Sequence, residues 1–389
     1  MRRVDTHNLP KKTPDMTLHK LTPERQPPEP RHINVGVSFQ HELYNLADTV
    51  VHTRALQAFE MAVTNHPIHR IVRCAAHRKL EQVFDDLALK MHLTAQRLNT
   101  GSLLLDGPGV FVCAGGKQKS DYCSCTFNVW AATPARAEEI RESIFRIVGE
   151  QRIRDEMFVL DWHFCMHGSL SSTSFEEIAR DVLHDEAYPG LGAPVGDFIT
   201  RYLDAEETVL ILLGQPGSGK TRLVRAILGE MSRRKGDSAE VMYTGDRRAL
   251  ESDEIFVEFI TGSHDAFVIE DADHLLAARA SGNQDLHRFL AIADGVVRAQ
   301  GRKILFTTNL PNVGDIDEAL LRPGRCFATV RTRSLTREEG ARLAGRLCKG
   351  DTVREQAALA SVFLDGVRTA SVAAIYRACA VALGSGRQV

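Results

Sequence analysis

The sequence predicts an α/β fold on a parallel sheet, with a small helical segment after it and an α+β domain before it. Three observations carry that expectation. Val209-Leu210-Ile211-Leu212-Leu213 is a continuous apolar run of strand length, as a strand buried on both faces requires. Two further runs, Ala266-Phe267-Val268-Ile269 and Lys303-Ile304-Leu305-Phe306-Thr307-Thr308, each lead into polar residues. Helical spacing surrounds these runs, whereas Gly101 to Ala132 alternates as half-buried strands do.

The composition suits such a fold. The chain has 389 residues, 43% hydrophobic and 25% charged, enough for two or three domains and a core that needs no covalent staples. A formal net charge of −2 gives no field that favours nucleic acid or an anionic membrane. No apolar run has the length to cross a bilayer. Met1-Arg2-Arg3-Val4-Asp5-Thr6 lacks the apolar core of a secretory leader. Eight cysteines spread over this length make no disulfide framework, so a reducing cytoplasm is the expected location.

Residues 1–32, rich in Pro, Lys, Arg and Glu, are expected to be a flexible tail. Residues 33–170 are expected to form the α+β domain, which binds a partner or couples motion to one. From His41 to Asn99 the apolar positions, among them Leu56, Phe59, Ile68, Ile71, Val72, Leu80, Val83, Phe84 and Leu87, follow helical spacing. Leu103-Leu104-Leu105 and Val110-Phe111-Val112-Cys113 flank Asp106-Gly107-Pro108-Gly109, a hairpin signal. A strand over Cys123–Trp130, a helix from Ala135 to Gly149 opened by Thr133-Pro134, and a strand over Met157–Phe164 complete the domain. The boundary is placed near Leu170. Thr173-Ser174-Phe175-Glu176 has the form of a capping box and predicts a helix to His184. A loop over Tyr188–Pro194 then leads to an amphipathic helix, Val195–Leu203. The α/β domain is assigned to 171–331. A second capping box, Thr336-Arg337-Glu338-Glu339, opens the helical segment at 332–389.

The chemistry concentrates at the ends of the apolar strands. Gly214-Gln215-Pro216-Gly217-Ser218-Gly219-Lys220-Thr221 satisfies G-x-x-x-x-G-K-[ST] at every fixed position, between the Val209–Leu213 strand and a helix from Arg222 to Met231. Small residues there let backbone N–H groups wrap a phosphate at a helix N-terminus. Lys220 can reach the β- and γ-phosphates of ATP, and the Thr221 hydroxyl can ligate Mg²⁺. Glu270-Asp271 follows the second strand: one carboxylate can hold Mg²⁺, and its neighbour can orient or deprotonate an attacking water. Asn309 follows the third strand, within reach of a γ-phosphate or that water. Ile316-Asp317-Glu318-Ala319-Leu320-Leu321-Arg322-Pro323-Gly324-Arg325 reads as a short helix ending at two arginines, which suit charge on a transferring phosphoryl group.

With these motifs in place, the chain from about Asp197 onward resembles the AAA branch of the AAA+ ATPases, a P-loop NTPase core with a small helical lid. The resemblance implies that Asn309 is the sensor residue and that Arg322 and Arg325 are arginine fingers. It also implies a homo-oligomeric ring, a hexamer or heptamer, with ATP sites between subunits. A narrower resemblance is to the mitochondrial complex III assembly ATPases, which move a folded Rieske protein. It rests on the Glu270-Asp271 order, the short span from Val241 to Phe267, and the Leu286–Val296 helix. The chain departs from that group in having no membrane-spanning run. It also has Gly245-Asp246-Arg247-Arg248-Ala249-Leu250 where an aromatic–hydrophobic–glycine pore loop is expected. What carries over is the ATPase and the ring, acting on a protein partner; the membrane and the Rieske substrate do not.

Two weaker patterns are also present. His163, Cys165 and His167, with Cys123 and Cys125, offer zinc ligands if neighbouring strands bring them together, although no C-x-x-C spacing is present and free Cys often serves as a small buried hydrophobe. Lys117, Lys119, Arg233, Arg234 and Lys235 are basic but have no interleaved aromatics for stacking bases. A nucleic-acid-linked ATPase of a mobile element or phage and a slow ATP-dependent assembly switch are therefore the alternative readings.

Overall fold

The computed structural model describes residues 68–153, 157–179, 182–277, 286, 289 and 301–384. The expected tail at 1–32, the stretch of expected helix before Ile68, and all of the Leu286–Val296 helix except Leu286 and Phe289 lie outside these residues.

The first sheet among the described residues is antiparallel throughout. Its strands are β1 (Ile68–Ala76), β2 (Thr94–Asn99), β3 (Ser102–Gly107), β4 (Val110–Gln118), β5 (Cys123–Ala131) and β6 (Arg152–Ile153), in the order β2-β3-β4-β5-β1-β6. The β3–β4 hairpin lies where its turn residues place it. Helix α1 (Leu80–Lys90) buries Leu80, Val83, Phe84 and Leu87. The flanks of α1 correct the helical expectation: Ile68–Ala76 and Thr94–Asn99 are strands. The β-branched Ile68, Ile71 and Val72 fit a pleated surface, and β1 pairs with β5 over its whole length, from Ile68 opposite Ala131 to Ala76 opposite Cys123. Helix α2 (Pro134–Val148) starts at Thr133, whose side chain accepts from the Arg136 N–H at 3.2 Å. Both helices cover one face, packing Phe84, Ile140 and Ile144 on Leu103, Val112, Phe127 and Val129.

The next two strands, β7 (Met157–Met166) and β8 (Ser169–Ile178), form a hairpin across His167-Gly168, both with positive φ (52° and 83°). β7 then pairs in parallel with β10 (Ala239–Thr244). The hairpin thus belongs to the second sheet, and the boundary expected near Leu170 falls inside it. The helix expected from Thr173 is also corrected. Those residues are in β8, where pairing from Met157 opposite Ile178 to Met166 opposite Ser169 outweighs a local capping pattern. At the hairpin's far end the Cys165 N–H donates to Asp246 Oδ2 at 2.9 Å, so the Gly245–Leu250 segment is fastened to β7.

Between the hairpin and β10 come α3 (Val195–Asp204), β9 (Val209–Leu213) and α4 (Lys220–Lys235); after β10 come α5 (Arg247–Glu251), α6 (Asp253–Thr261), β11 (Ala266–Ile269), α7 (Asp273–Leu276), β12 (Lys303–Thr308) and β13 (Cys326–Arg331). The strand order is β13-β9-β12-β11-β10-β7-β8, parallel except for β8. All five residues of β9 are fully buried, as its unbroken apolar run requires. On one face α4 buries Leu223, Val224, Ile227 and Leu228, each a contribution of about 1.5–3 kcal/mol. On the other, Phe256, Phe267 and Phe306 surround Phe289. The helix expected over Ile316–Leu321 is instead a pair of three-residue-span turns, Leu320 N–H to Asp317 O and Leu321 N–H to Glu318 O.

The chain ends in β14 (Leu335–Thr336), α8 (Arg337–Leu347), α9 (Thr352–Val362), β15 (Thr369–Ala370) and α10 (Val372–Ala382). The Thr336–Glu339 capping box is formed as expected. Hydrogen bonding from Arg333 holds the Glu339 carboxyl down to about 2.

Candidate active site

Parallel register brings the strand ends together: Leu213 lies opposite Thr308, and Ile269 opposite Phe306. The residues that follow these strands build the site. Gly217 and Gly219 have φ of 78° and 97°, the left-handed region where a side chain is strained. At Gly219 a Cβ would also stand 2.9 Å from the Tyr188 hydroxyl, which donates to Gly219 O at 3.0 Å. The loop is held from outside as well. Ser218 Oγ is 2.7 Å from Thr332 Oγ1, and the Ala373 N–H at the start of α10 donates to Gly217 O at 3.0 Å.

Lys220 opens α4 and is buried. Its Nζ donates to the carbonyls of Gly214 and Gln215 and, at 2.9 Å, to Asn309 Oδ1. Burial lowers its pKa, against the opposing charges of Asp271, Asp273 and Glu270. Asn309 Nδ2 in turn donates to Asp271 Oδ1 at 2.9 Å, so Lys220, Asn309 and Asp271 form one hydrogen-bonded row. Asp271 has a φ of 49°, an uncommon value for a non-glycine residue, and its N–H reaches Thr307 Oγ1 at 3.2 Å. Asp273 Oδ1 accepts from the Asn309 N–H at 2.7 Å and from the Thr308 hydroxyl, fixing the base of the row.

Glu270 turns to the other side. Its Oε1 accepts from Thr221 Oγ1 at 3.0 Å and its Oε2 from the Tyr243 hydroxyl at 2.8 Å. Two hard oxygen donors beside a phosphate loop fit Mg²⁺, which takes one or two protein oxygens and completes its shell with phosphates and water.

These groups face a cleft of about 600 Å³. Pro216 to Arg222, with Glu270, Asp271 and Asn309, line one wall; Ala373, Tyr376 and Arg377 of α10 line the other. The Arg222 guanidinium lies 4.2 Å over the Tyr376 ring, linking the first turn of α4 to α10. Sequence reasoning missed Tyr188, Tyr243, Thr332, Tyr376 and Arg377, because each arrives from a distant segment and none sits in a motif. Asp273 was detectable as the acidic residue opening α7.

Arg322 and Arg325 are not in this cleft. Arg322 is exposed and Arg325 half-buried, next to the edge strand β13, and Arg325 Nη1 donates to Ala319 O at 2.6 Å. The zinc candidates are not brought together either. Cys123 and Cys125 lie in the core of the first sheet with Cys74, whereas His163 and Cys165 are on β7 in the second. Among the described residues no group of three or more His, Cys, Asp or Glu is placed to hold a metal.

Residues 210–334 match the model of the ATPase family associated with various cellular activities (AAA). An ATP-dependent zinc metalloprotease FtsH of Acidimicrobium ferrooxidans is 34% identical over 129 residues, covering 30% of this chain and 19% of that protein. A YME1 homolog of Caenorhabditis elegans, also an ATP-dependent zinc metalloprotease, is 32% identical over 126 residues, 30% of this chain and 17% of that protein. Protein mac-1 of the same organism is 29% identical over 139 residues, 33% of this chain and 17% of its own. The chain thus spans about a fifth of the length of these relatives. The matched segment holds the Gly214–Thr221 loop, Glu270-Asp271, Asn309 and both arginines, so residues 210–334 are an AAA domain.

Proposed function

We propose that this chain couples Mg²⁺-dependent ATP hydrolysis to the remodelling or translocation of a protein partner, as one subunit of a homo-oligomeric ring of six or seven. The observation that carries the catalytic part is the row Lys220–Asn309–Asp271 beside the pair Thr221–Glu270, both facing one cleft. The loop N–H groups and the α4 N-terminus hold the phosphates of ATP. Lys220 exchanges Asn309 for the β- and γ-phosphate oxygens, which leaves the Asn309 amide free to face the attacking water. Asp271 accepts the proton of that water, and Asn309 Nδ2 keeps its short side chain aimed. Thr221 and Glu270 hold Mg²⁺, which neutralises charge on the phosphates when bound. Arg377 offers a second cation from the lid, and Arg322 and Arg325 are presented to the ATP of the neighbouring subunit.

A protein partner follows from the matched relatives, two of which are named as ATP-dependent proteases; their proteolysis is not part of this reading, because the match spans the ATPase segment. The 33–170 region, taken with the rest of the hairpin, is the part proposed to contact the partner. The narrower likeness to the complex III assembly ATPases rests on Glu270-Asp271 and the short Val241–Phe267 span, without the membrane: among the described residues no helix is long and apolar enough to cross one. All eight cysteines are free thiols, in keeping with a reducing cytoplasm.

Site-directed variants divide the roles. Lys220→Ala is expected to lower turnover at least about 100-fold while the protein stays folded, since the side chain lies at a cleft and not within a packed core. Asp271→Asn is expected to bind ATP with near-normal affinity and hydrolyse it at least about 100-fold more slowly. Glu270→Gln should weaken nucleotide binding only when Mg²⁺ is present. Full turnover in Asp271→Asn, with Glu270→Gln inactive, would exchange the two assignments.

A further inference from the structure

Glutamate at position 270 raises a geometric problem. Its side chain has one more rotatable bond than aspartate, so an unsupported carboxylate would swing about the point where a cation must be held. The structure supplies the support from the neighbouring strand. Tyr243, on β10, has Val268 as its cross-strand partner, and Glu270 follows two residues later, just past the end of β11, its N–H donating to Thr244 O at 3.0 Å. The Tyr243 hydroxyl donates to Glu270 Oε2 at 2.8 Å. Oε1 is left on the opposite side, accepting from Thr221 Oγ1 at 3.0 Å. Tyr243 does not line the cleft, so it reaches Glu270 from behind without touching the nucleotide space. It is half-buried, packs against the core on the α4 face, and has only two side-chain torsions to restrain.

We propose that Tyr243 is a positioning residue for Glu270: its hydroxyl pins one carboxylate oxygen so that the other stays beside Thr221. The proposal rests on the reading of Glu270 as the cation-holding carboxylate. The hydroxyl compensates for the extra methylene. With aspartate at 270 the shorter arm would withdraw from the tyrosine, and the hydroxyl would have nothing to hold.

The test is equilibrium binding of a fluorescent, non-hydrolysable ATP analogue as Mg²⁺ is varied, with a chelator-treated baseline. It compares the wild type, Tyr243→Phe, Glu270→Asp and the double variant, with Glu270→Gln as control. Tyr243→Phe keeps the ring and removes one hydrogen bond to a charged group. It is expected to raise the Mg²⁺ concentration for half-maximal binding about tenfold and to leave Mg²⁺-free affinity unchanged. In the Glu270→Asp background the same substitution should have no further effect. Wild-type Mg²⁺ dependence in Tyr243→Phe would overturn the proposal. So would an equal loss with and without Mg²⁺, which marks a merely structural ring, or an equal effect in both backgrounds. If Glu270→Gln itself leaves the Mg²⁺ dependence intact, the assignment of Glu270 fails and the inference with it. If Glu270→Gln shifts it and Tyr243→Phe does not, only the inference fails.

Discussion

The two sheets of this molecule are built from similar strands and differ in what their ends can do. In the second sheet β9, β12, β11 and β10 run parallel, so their C-terminal ends lie side by side. The residues just beyond those ends, Gly214, Asn309, Glu270 and Asp271, are thereby gathered at one edge. In the first sheet neighbouring strands alternate in direction, and successive strand ends point to opposite edges. Its helix-covered face is apolar, and Cys74, Cys123 and Cys125 are buried in that core. Strand direction alone therefore explains why one sheet collects a site and the other a packing surface.

Lys220 and Lys303 repeat the contrast within the second sheet. Both are buried lysines, at opposite ends of it. Lys220 shares its protons with Asn309 and two loop carbonyls, partners that a phosphate can replace. Lys303 Nζ donates to Ala205 O at 2.7 Å and Glu207 O at 3.1 Å, beside the Tyr202 ring, where it joins the end of α3 to β12. The first arrangement is exchangeable and the second structural.

The largest expected effect asks whether the gathered edge is complete in one chain. If Arg325 acts on a neighbour's ATP, Arg325→Ala should bind ATP normally and hydrolyse it about a thousandfold more slowly. Wild-type specific activity should also rise steeply with protein concentration. A monomer with concentration-independent turnover would place every catalytic group within one subunit.

Next comes the independence of the two sheets. Phe127 is fully buried in the first core, and Phe127→Ala should cost about 3–5 kcal/mol of stability, read from chemical denaturation. Nucleotide affinity of the folded fraction should not change. A parallel loss of affinity would show that the first sheet shapes the cleft.

The smallest effect concerns Lys303, whose pKa burial lowers from 10.5 to about 8. Between those values the unfolded chain binds more protons than the folded one, so this group makes stability rise with pH. Below about pH 8 the contribution is flat. Across pH 7.5 to 10.5 the denaturation midpoint of the wild type should rise relative to that of Lys303→Met, the gain beginning above about pH 8. Parallel curves across the whole range would mean that Lys303 is not titrating as described.

Much of the candidate site was legible because its signals are local. The phosphate loop, its flanking strand and helix, Glu270-Asp271, Asn309 and the Thr336–Glu339 cap are each written within a dozen residues, and each is set by short-range backbone geometry. Local signals failed where pairing was decided elsewhere. Thr173–Glu176 has the letters of a helix cap, yet β7 claims it as a strand; Ile68–Ala76 has helical spacing, yet β5 claims it along its full length. Ile316–Leu321 has helical residues but only turns, as the chain heads back to pair β13 with β9.

The sequence by itself determined the phosphate loop, the strands that end in carboxylate and amide, and the α/β class, because apolar periodicity and turn chemistry act over a few residues. Only the tertiary structure decided that the β7–β8 hairpin joins the parallel sheet, that Asn309 bridges Lys220 to Asp271, and that Tyr243 and Arg377 reach the candidate site from β10 and α10. Hydrogen bonds between strands and contacts between side chains far apart in the chain depend on which partners packing brings within a few ångströms, and no local pattern encodes that choice.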